Sequence, residues 1–170
     1  EILKDRNKQM EKMDLVALYR KNIELLGKYY EKETERIPIS IDIRLPGEPL
    51  FIDGNAELLS KTLMSLLNNG MYAIIKKYNK KEYSPEIRLE LKSENGQAVT
   101  RIYDTGIGIE PSILEKIFDP FFTTKTTGEA AGTGLYLSKE IILNHRGQIS
   151  VRSEKNEYTE FTITLPLRKE

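Results

Sequence analysis

The 170-residue chain has no cysteine and only one histidine, His145. Without cysteine there are no disulfides and no thiolate metal sites, and a reducing compartment is favoured. One histidine is too few for the clustered ligands of a metal-dependent hydrolase. The 26 basic and 26 acidic residues cancel, so there is no basic excess of the kind that predicts a nucleic-acid partner.

Long apolar runs are missing as well. No stretch has the length that a transmembrane helix needs, and no signal peptide opens the chain. We therefore expect a cytoplasmic location. The chain starts at Glu1 in the middle of a charged helical pattern, which suggests a fragment of a longer protein, and that parent could itself be membrane-anchored.

The spacing of apolar residues alternates between helical and strand periods. It predicts a helix end or linker over 1–14 and one amphipathic helix over 15–36, both outside the main domain. Because two strand pairs are hairpins, the sheet is not purely parallel, and the economical fold is an α/β (α+β) two-layer sandwich with helices on one face. The predicted strands are 39–45, 50–52, 86–92, 98–103, 148–153 and 159–165, and the predicted helices are 56–77, 111–118 and one that ends near residue 144.

One cluster of small residues, DTGIGI, directly follows a strand. Its glycines, Gly106 and Gly108, permit a close approach of the backbone to a ligand. Asp104 at the strand end could accept hydrogen bonds from an amino group of that ligand. A simple Asp-Gly turn explains the motif equally well.

The long helix carries Ser65, Asn69 and Ala73 on one face, at a spacing of four. A buried amide needs a partner, because an unsatisfied one costs about as much free energy as a lost hydrogen bond. Asn69 either caps a nearby loop or offers its carbonyl oxygen to a hard cation such as Mg²⁺. Taken singly, the structural role is favoured.

A third stretch, FDPFFTTK, precedes a loop of small residues and then a helix that begins near Gly134. A loop held by aromatic residues at one end is typical of a lid. The start of the helix would direct unpaired N–H groups at an anion. The chain contains no P-loop, no complete Gly-x-Gly-x-x-Gly and no His-Arg-Asp loop, which excludes P-loop proteins and kinases of the eukaryotic type.

In this order the motifs resemble the ATP-binding catalytic domain of bacterial sensor histidine kinases. That domain has the Bergerat fold, which it shares with DNA gyrase, the ninety-kilodalton heat-shock chaperones and MutL. The stretch LMSLLNNGMYAI is similar to the N box, DTGIGI to the first glycine box, IFDPFFTTK to the F box and GTGLYLSKEII to the second glycine box. The resemblance covers about 37–167, and PFFTTK is most similar to kinases of the nitrogen-regulation branch. It implies a mixed five-stranded sheet with three helices on one face, preceded by an N-terminal helix.

The resemblance also implies roles for single residues. Asn69 would bind the Mg²⁺ that bridges the ATP phosphates, Asp104 would accept a hydrogen bond from the adenine amine, and Lys125 would lie near the γ-phosphate. Catalysis would be mostly positioning and charge neutralisation by Mg²⁺. The rest of the implied ATP site is Ala73, Gly106, Gly108, Ile109, Phe118, Phe122, Thr123, Thr124, Gly132, Thr133, Gly134, Leu135 and Thr159.

Four residues depart from the family pattern. Ser65 stands where ATP-hydrolysing relatives have glutamate, which argues against an efficient hydrolase. Tyr72 replaces a common phosphate-contacting lysine, so Lys125 would carry more of that task. Gly70 replaces an alanine, at a cost of up to ~1 kcal/mol in helix propensity. Tyr136 replaces a glycine inside a helix, which we interpret as a tolerated variant.

The resemblance implies a phosphate acceptor outside this sequence, because His145 is expected to be a turn or helix-end residue. Residues 1–36 would be the end of a dimerisation helix with a lead-in helix, and 37–170 the ATP-binding catalytic domain. In a homodimeric parent, phosphate would pass to a histidine of the upstream helices and then to the receiver domain of a response regulator. Two alternatives stay open, a non-enzymatic nucleotide-sensing module and a serine kinase acting on an anti-sigma partner.

Overall fold

The computed structural model describes residues 9–120, 122 and 133–169. None of the helices in these ranges combines the length and the apolar character needed to cross a membrane. Numbered in chain order, the elements are β1 (Glu11–Asp14), α1 (Leu15–Tyr29), α2 (Glu31–Arg36), β2 (Ser40–Arg44), β3 (Phe51–Gly54), α3 (Ala56–Lys80), β4 (Glu86–Glu94), β5 (Gln97–Asp104), α4 (Pro111–Leu114), α5 (Thr133–Asn144), β6 (Gln148–Glu154) and β7 (Tyr158–Pro166).

Five strands form one mixed sheet in the order β2-β4-β5-β7-β6. Strand β2 runs parallel to β4, and the other neighbours are antiparallel. The β4–β5 hairpin turns at Asn95 and Gly96, whose φ angles are 51° and 77°, a conformation that Asn and Gly adopt more readily than other residues. The predicted mixed five-stranded sheet is therefore confirmed.

Helix α3 is the central element of the layer that covers one face of this sheet. It starts at Asn55, whose side chain accepts a hydrogen bond from Leu58 N at 3.0 Å, as expected of an N-cap. Its buried leucines and isoleucine belong to the same core as Leu89, Ile102 and Phe161 on three successive strands of the sheet. The helix continues to Lys80, three residues beyond the predicted end.

The leading segment, residues 11–29, differs from the prediction. Residues 11–14 are not a helix end, because they form β1, which pairs antiparallel with β3 in a separate two-stranded sheet. Asp14 then caps α1 by accepting a hydrogen bond from the first turn at 3.0 Å. Leu15 and Tyr19 are buried in the same core as the five-stranded sheet, so the expectation that this segment lies outside the sandwich is wrong.

Two predicted helices are shorter in the structure. The pattern over 15–36 is interrupted at Tyr30, whose φ of −101° and ψ of 21° separate α1 from α2. The helix predicted over 111–118 is only the four-residue α4 in the structure, and residues 115–118 form turns. The break at Tyr30 could not be predicted from the spacing of apolar residues. The Tyr30 hydroxyl donates a hydrogen bond to Asn68 Oδ1 at 2.8 Å, and this contact involves a residue that is distant in sequence.

Candidate functional site

Asp104 ends β5 and is buried, with 3% of its surface exposed. Its Oδ1 accepts a hydrogen bond from Gly106 N at 2.9 Å, as in an Asx-turn. Burial raises the pKa of Asp104 from 3.8 to about 7, although the Gly106 N–H and the charge of Lys77 act in the opposite direction. A carboxyl group that is this costly to ionise is typical of a functional site.

Lys77 on α3 holds the loop that follows Asp104. Its Nζ donates to Asn156 O at 2.6 Å and to Thr105 O at 3.5 Å, and it lies 4.6 Å from the centre of the Tyr83 ring. The Tyr83 hydroxyl donates to the same Thr105 carbonyl at 2.8 Å. Sequence reasoning missed this lysine, because nothing distinguishes it within the basic run at the end of α3.

The first glycine of the loop lies directly against α3. A Cβ built on Gly106 would lie 2.4 Å from Ala73 Cβ and 2.5 Å from the Ala73 carbonyl carbon, so no larger residue fits. The next residue, Ile107, donates its N–H to Ala73 O at 3.2 Å. The structure thus brings together Ala73 and Gly106, two residues of the predicted site.

The second glycine lies against the turn between β6 and β7. Gly108 has a φ of 69°, and a Cβ on it would lie 2.2 Å from Glu154 O. Asn156 N donates to Ile107 O at 2.6 Å, and Lys155 forms an exposed ion pair with Glu110 at 2.5 Å. Both glycines are therefore required by close packing, one against the helix and one against the hairpin.

Ser153 joins the loop to the last hairpin, and sequence reasoning missed this residue too. Its Oγ accepts a hydrogen bond from Ile109 N at 2.8 Å, donates to Tyr158 O at 2.7 Å and lies 2.9 Å from Thr159 Oγ1. Thr159 is 5% exposed and stands opposite Asp104 in the register of β5 and β7. The predicted residues Ile109 and Thr159 thus meet at Ser153, and Asp104 lies on the adjacent strand opposite Thr159.

Asn69 is half-buried on α3, one helical turn before Ala73. Residues four apart share a helix face, so Asn69 lies on the flank of α3 that meets the glycine loop. The adjacent Gly70 leaves room for Asp104, since a Cβ there would lie 3.3 Å from Asp104 Oδ2. Glycine at this position therefore brings the carboxylate close to α3.

The amide oxygen of Asn69 is a ligand of the kind that Mg²⁺ prefers. Within the described ranges, no group of three or more acidic or histidine residues could hold a metal ion. Mg²⁺ keeps few protein ligands and takes phosphate and water oxygens instead. One amide oxygen from Asn69 suits such an ion, whereas a metal bound by the protein alone would need more ligands.

The predicted lid is described only in part. The Phe118 ring packs edge-on against Phe161, with centroids 6.3 Å apart, and Lys139 Nζ lies 5.4 Å from the centre of the Phe118 ring. Phe122 and Leu135 are half-buried against the core. Thr123, Thr124, Lys125 and Gly132 lie outside the described residues, and for Thr133 and Gly134 only their place in α5 is described.

Tyr72, one of the departures from the family pattern, lines a surface pocket between α3 and the junction of α1 and α2. Tyr29, Tyr30 and Ile75 line the same pocket, and Lys76 Nζ lies 5.6 Å from the centre of the Tyr72 ring. Tyr72 thus lies beside the junction of α1 and α2, and its phenol does not supply the positive charge of a lysine.

His145 follows α5 and is 5% exposed. Its Nε2 accepts a hydrogen bond from Asn55 N at 3.0 Å, and its Nδ1 lies 2.7 Å from Ile141 O. Burial lowers the pKa of His145, and the hydrogen bond to Ile141 opposes that shift. The expectation of a helix-end residue is confirmed, and both ring nitrogens have structural partners.

A mixed sheet with helices on one face, and a buried aspartate beside a glycine loop, define a two-layer α/β sandwich with one candidate ligand site. Residues 54–169 match the family described as histidine kinase-, DNA gyrase B-, and HSP90-like ATPase. The match covers more than half of the chain, and the chain belongs to this family.

Several characterised proteins are similar to the chain. The two-component sensor PprA of Pseudomonas aeruginosa is 34% identical over 131 residues, which are 76% of this chain and 14% of that protein. The signal transduction histidine-protein kinase AtoS of Escherichia coli is 34% identical over 171 residues, which are 98% of this chain and 26% of that protein. The chain therefore spans only a minor part of the length of these relatives.

Solved structures show the same fold. The catalytic domain of histidine kinase ThkA superposes with a TM-score of 0.73 at 23% identity, covering 92% of this chain and 95% of that one. The mycobacterial sensor histidine kinase MprB superposes with a TM-score of 0.75 at 20% identity, covering 94% and 100%. These structures support the two-layer sandwich with its helices on one face.

Proposed function

We propose that the chain is the ATP-binding catalytic part of a sensor histidine kinase. Buried Asp104, beneath a glycine loop that is packed against α3, is the observation that carries this proposal. Ionisable groups whose pKa is strongly shifted by burial cluster at functional sites. In the sensor kinase AtoS, the matching region is part of a protein named as a histidine-protein kinase.

In this proposal the adenine ring lies over the glycine loop. Asp104 accepts a hydrogen bond from the exocyclic amine of the base, and Thr159 contributes a second polar group beside it. Gly106 and Gly108 keep the loop thin, while Ala73 and Ile109 form apolar walls. Residues of this kind orient the base and exclude water from one of its edges.

The phosphates extend along α3 toward the start of α5. Asn69 would hold Mg²⁺ through its amide oxygen, and such an ion would supply charge neutralisation at the phosphates. Lys125, Thr123 and Thr124, together with the second glycine box (132–135), close over the phosphates. Phe118 and Phe122 anchor the base of this lid against the core.

The γ-phosphate passes to a histidine that is not His145, because both ring nitrogens of His145 are engaged. We propose that the acceptor belongs to the dimerisation helices of a homodimeric parent, with a response-regulator receiver domain as the next acceptor. The reaction would take place in the cytoplasm, where ATP is available. The form PFFTTK supports a place in the nitrogen-regulation branch.

Phosphotransfer is tested by joining this chain to dimerisation helices that carry a histidine and adding labelled ATP with Mg²⁺. Acid-labile phosphate is expected on the helices and absent from His145. Asn69→Ala should abolish the transfer, whereas Asn79→Ala, an exposed asparagine on the same helix, should leave it intact. Tight ATP binding without any transfer would instead identify a nucleotide-sensing module, and labelled serine on a partner would identify a serine kinase.

A further inference from the structure

The hydroxyl of Ser153 has every hydrogen-bonding position filled. A serine hydroxyl has one proton to donate and two lone pairs to accept. Because a carbonyl cannot donate, the 2.7 Å contact with Tyr158 O takes the proton of Ser153. The contact with Ile109 N at 2.8 Å takes one lone pair, since an amide N–H only donates.

The remaining contact of Ser153 is with Thr159. The other two hydrogen bonds of Ser153 determine which of the two hydroxyl groups is the donor in this contact. Ser153 has no second proton, so across the 2.9 Å contact Thr159 Oγ1 donates and Ser153 Oγ accepts. The hydroxyl proton of Thr159 is therefore used in the hydrogen bond to Ser153. Toward any other group, Thr159 Oγ1 can act only as a hydrogen-bond acceptor. Thr159 stands opposite Asp104 in the strand register, and the Asp104 carboxylate is also an acceptor.

We propose that Ser153 is a positioning residue for base recognition, which fixes the Thr159 hydroxyl as a hydrogen-bond acceptor toward the bound nucleotide. This inference rests on the proposed function, because it concerns the base of the ATP that the site binds. Ser153 does not touch the base in this account. It acts through Thr159, and it also holds the end of the glycine loop at Ile109.

Asp104 and Thr159 are both hydrogen-bond acceptors, and such a pair favours one arrangement of donors and acceptors on the edge of a purine base. Adenine presents an amine donor that Asp104 accepts, and its neighbouring N1 accepts from a water that also donates to Thr159. Hypoxanthine presents the reverse, a carbonyl acceptor beside an N–H donor, so that its carbonyl would face the Asp104 carboxylate. A site built for one hydrogen-bond pattern rejects the other, because buried polar groups would be left unpaired.

Removing the Ser153 hydroxyl releases the proton of Thr159. The threonine hydroxyl is then able to rotate and donate toward an inosine carbonyl or toward a reoriented water. We expect Ser153→Ala to bind ATP more weakly and to discriminate less against inosine triphosphate, with the ratio of the two affinities narrowed about fivefold. A purely structural role for Ser153 would weaken both nucleotides equally and leave the ratio unchanged.

The experiment measures the dissociation constants of Mg-ATP and Mg-ITP by calorimetry at pH 8, where Asp104 is a carboxylate, for the whole chain and its variants. Ser150→Ala, an exposed serine on the same strand, is the matched control and should keep the wild-type ratio. In a Thr159→Val background, Ser153→Ala should no longer change the ratio, because the hydroxyl through which it acts is gone. If Ser153→Ala unfolds below the assay temperature, Ser153→Cys, a weaker donor of similar size, should narrow the ratio in the same direction.

The outcomes separate this inference from the proposed function. Wild-type chain that binds ATP, with an unchanged ratio in the folded Ser153 variant, would overturn the role of Ser153 alone. The same narrowing with and without Thr159 would also overturn it. Wild-type chain that binds neither nucleotide would overturn the proposed function and this inference together.

Discussion

Asp104→Asn is expected to stabilise the protein at high pH while it weakens nucleotide binding. The pKa of Asp104 is about 7 in the folded protein, against 3.8 for an ordinary aspartate. Each pKa unit corresponds to about 1.4 kcal/mol, so ionising this carboxyl group costs the folded state about 4 kcal/mol once the pH exceeds both values. Asparagine avoids this cost, since its Oδ1 still accepts from Gly106 N and its amide does not ionise.

The sign of the pH dependence follows from proton binding. Between pH 4 and 7 the folded protein keeps the proton on Asp104 and the unfolded chain has lost it. The contribution of Asp104 to the free energy of unfolding of the wild type therefore falls as the pH rises through this window, and it levels off above pH 7. The variant lacks this fall, so its advantage over the wild type should grow by about 3 kcal/mol between pH 4.5 and 8.

Urea unfolding, followed by circular dichroism at pH 4.5, 6 and 8, measures this difference. Asp119→Asn, which changes an exposed carboxylate, serves as the control and should show no such growth. Calorimetry on the same variant at pH 8, where Asp104 is ionised, should find ATP binding weakened at least about tenfold, because a charged acceptor has been replaced by a neutral amide. A stability difference that does not change with pH would refute the assignment of a raised pKa to Asp104.

Three further predictions concern the supports of the site. Gly106→Ala should cost about 3 kcal/mol in urea unfolding because its methyl overlaps α3, and adding Ala73→Gly should not rescue it, since the carbonyl carbon of that residue stays in the way. Lys77→Met should weaken ATP binding about fivefold in calorimetry by releasing the loop carbonyls, whereas the exposed Lys80→Met should not; equal effects would refute the role of Lys77. Because burial lowers the pKa of His145, the contribution of His145 to stability should be lost as the pH drops below about 6.5. Asp104 acts in the opposite direction over this window, so the measurement is the free energy of unfolding of His145→Gln minus that of the wild type, which should rise as the pH falls.

The antiparallel pairs of the sheet could be predicted because their turns carry local signals. Asn95 and Gly96 specify the β4–β5 hairpin by their own backbone preferences. The pairing of β1 with β3 could not be predicted in this way, because the partner strand lies some forty residues away and Met13 is the only apolar residue of β1. Such a strand is specified by its partner rather than by its own pattern.

The residues of the candidate site also differ in whether the sequence alone could single them out. Asp104, Gly106 and Gly108 could be singled out as candidates in the sequence, because an aspartate and two glycines directly follow a predicted strand. The reason for each glycine, close packing on Ala73 or on Glu154, depends on segments far away in sequence. Ser153 and Lys77 carry no signal of their own, because a serine in a strand and a lysine at a helix end are ordinary residues until distances single them out.

Strand β3 is held from two directions. Residues 11–14 pair along it on one side, and Arg168 N donates to Phe51 O at 2.8 Å while the Arg168 side chain pairs with Asp53. Residues 11–14 and Arg168 are thus both fixed to the same short strand. A change that loosens β3 would therefore release two segments that are far apart in sequence at the same time.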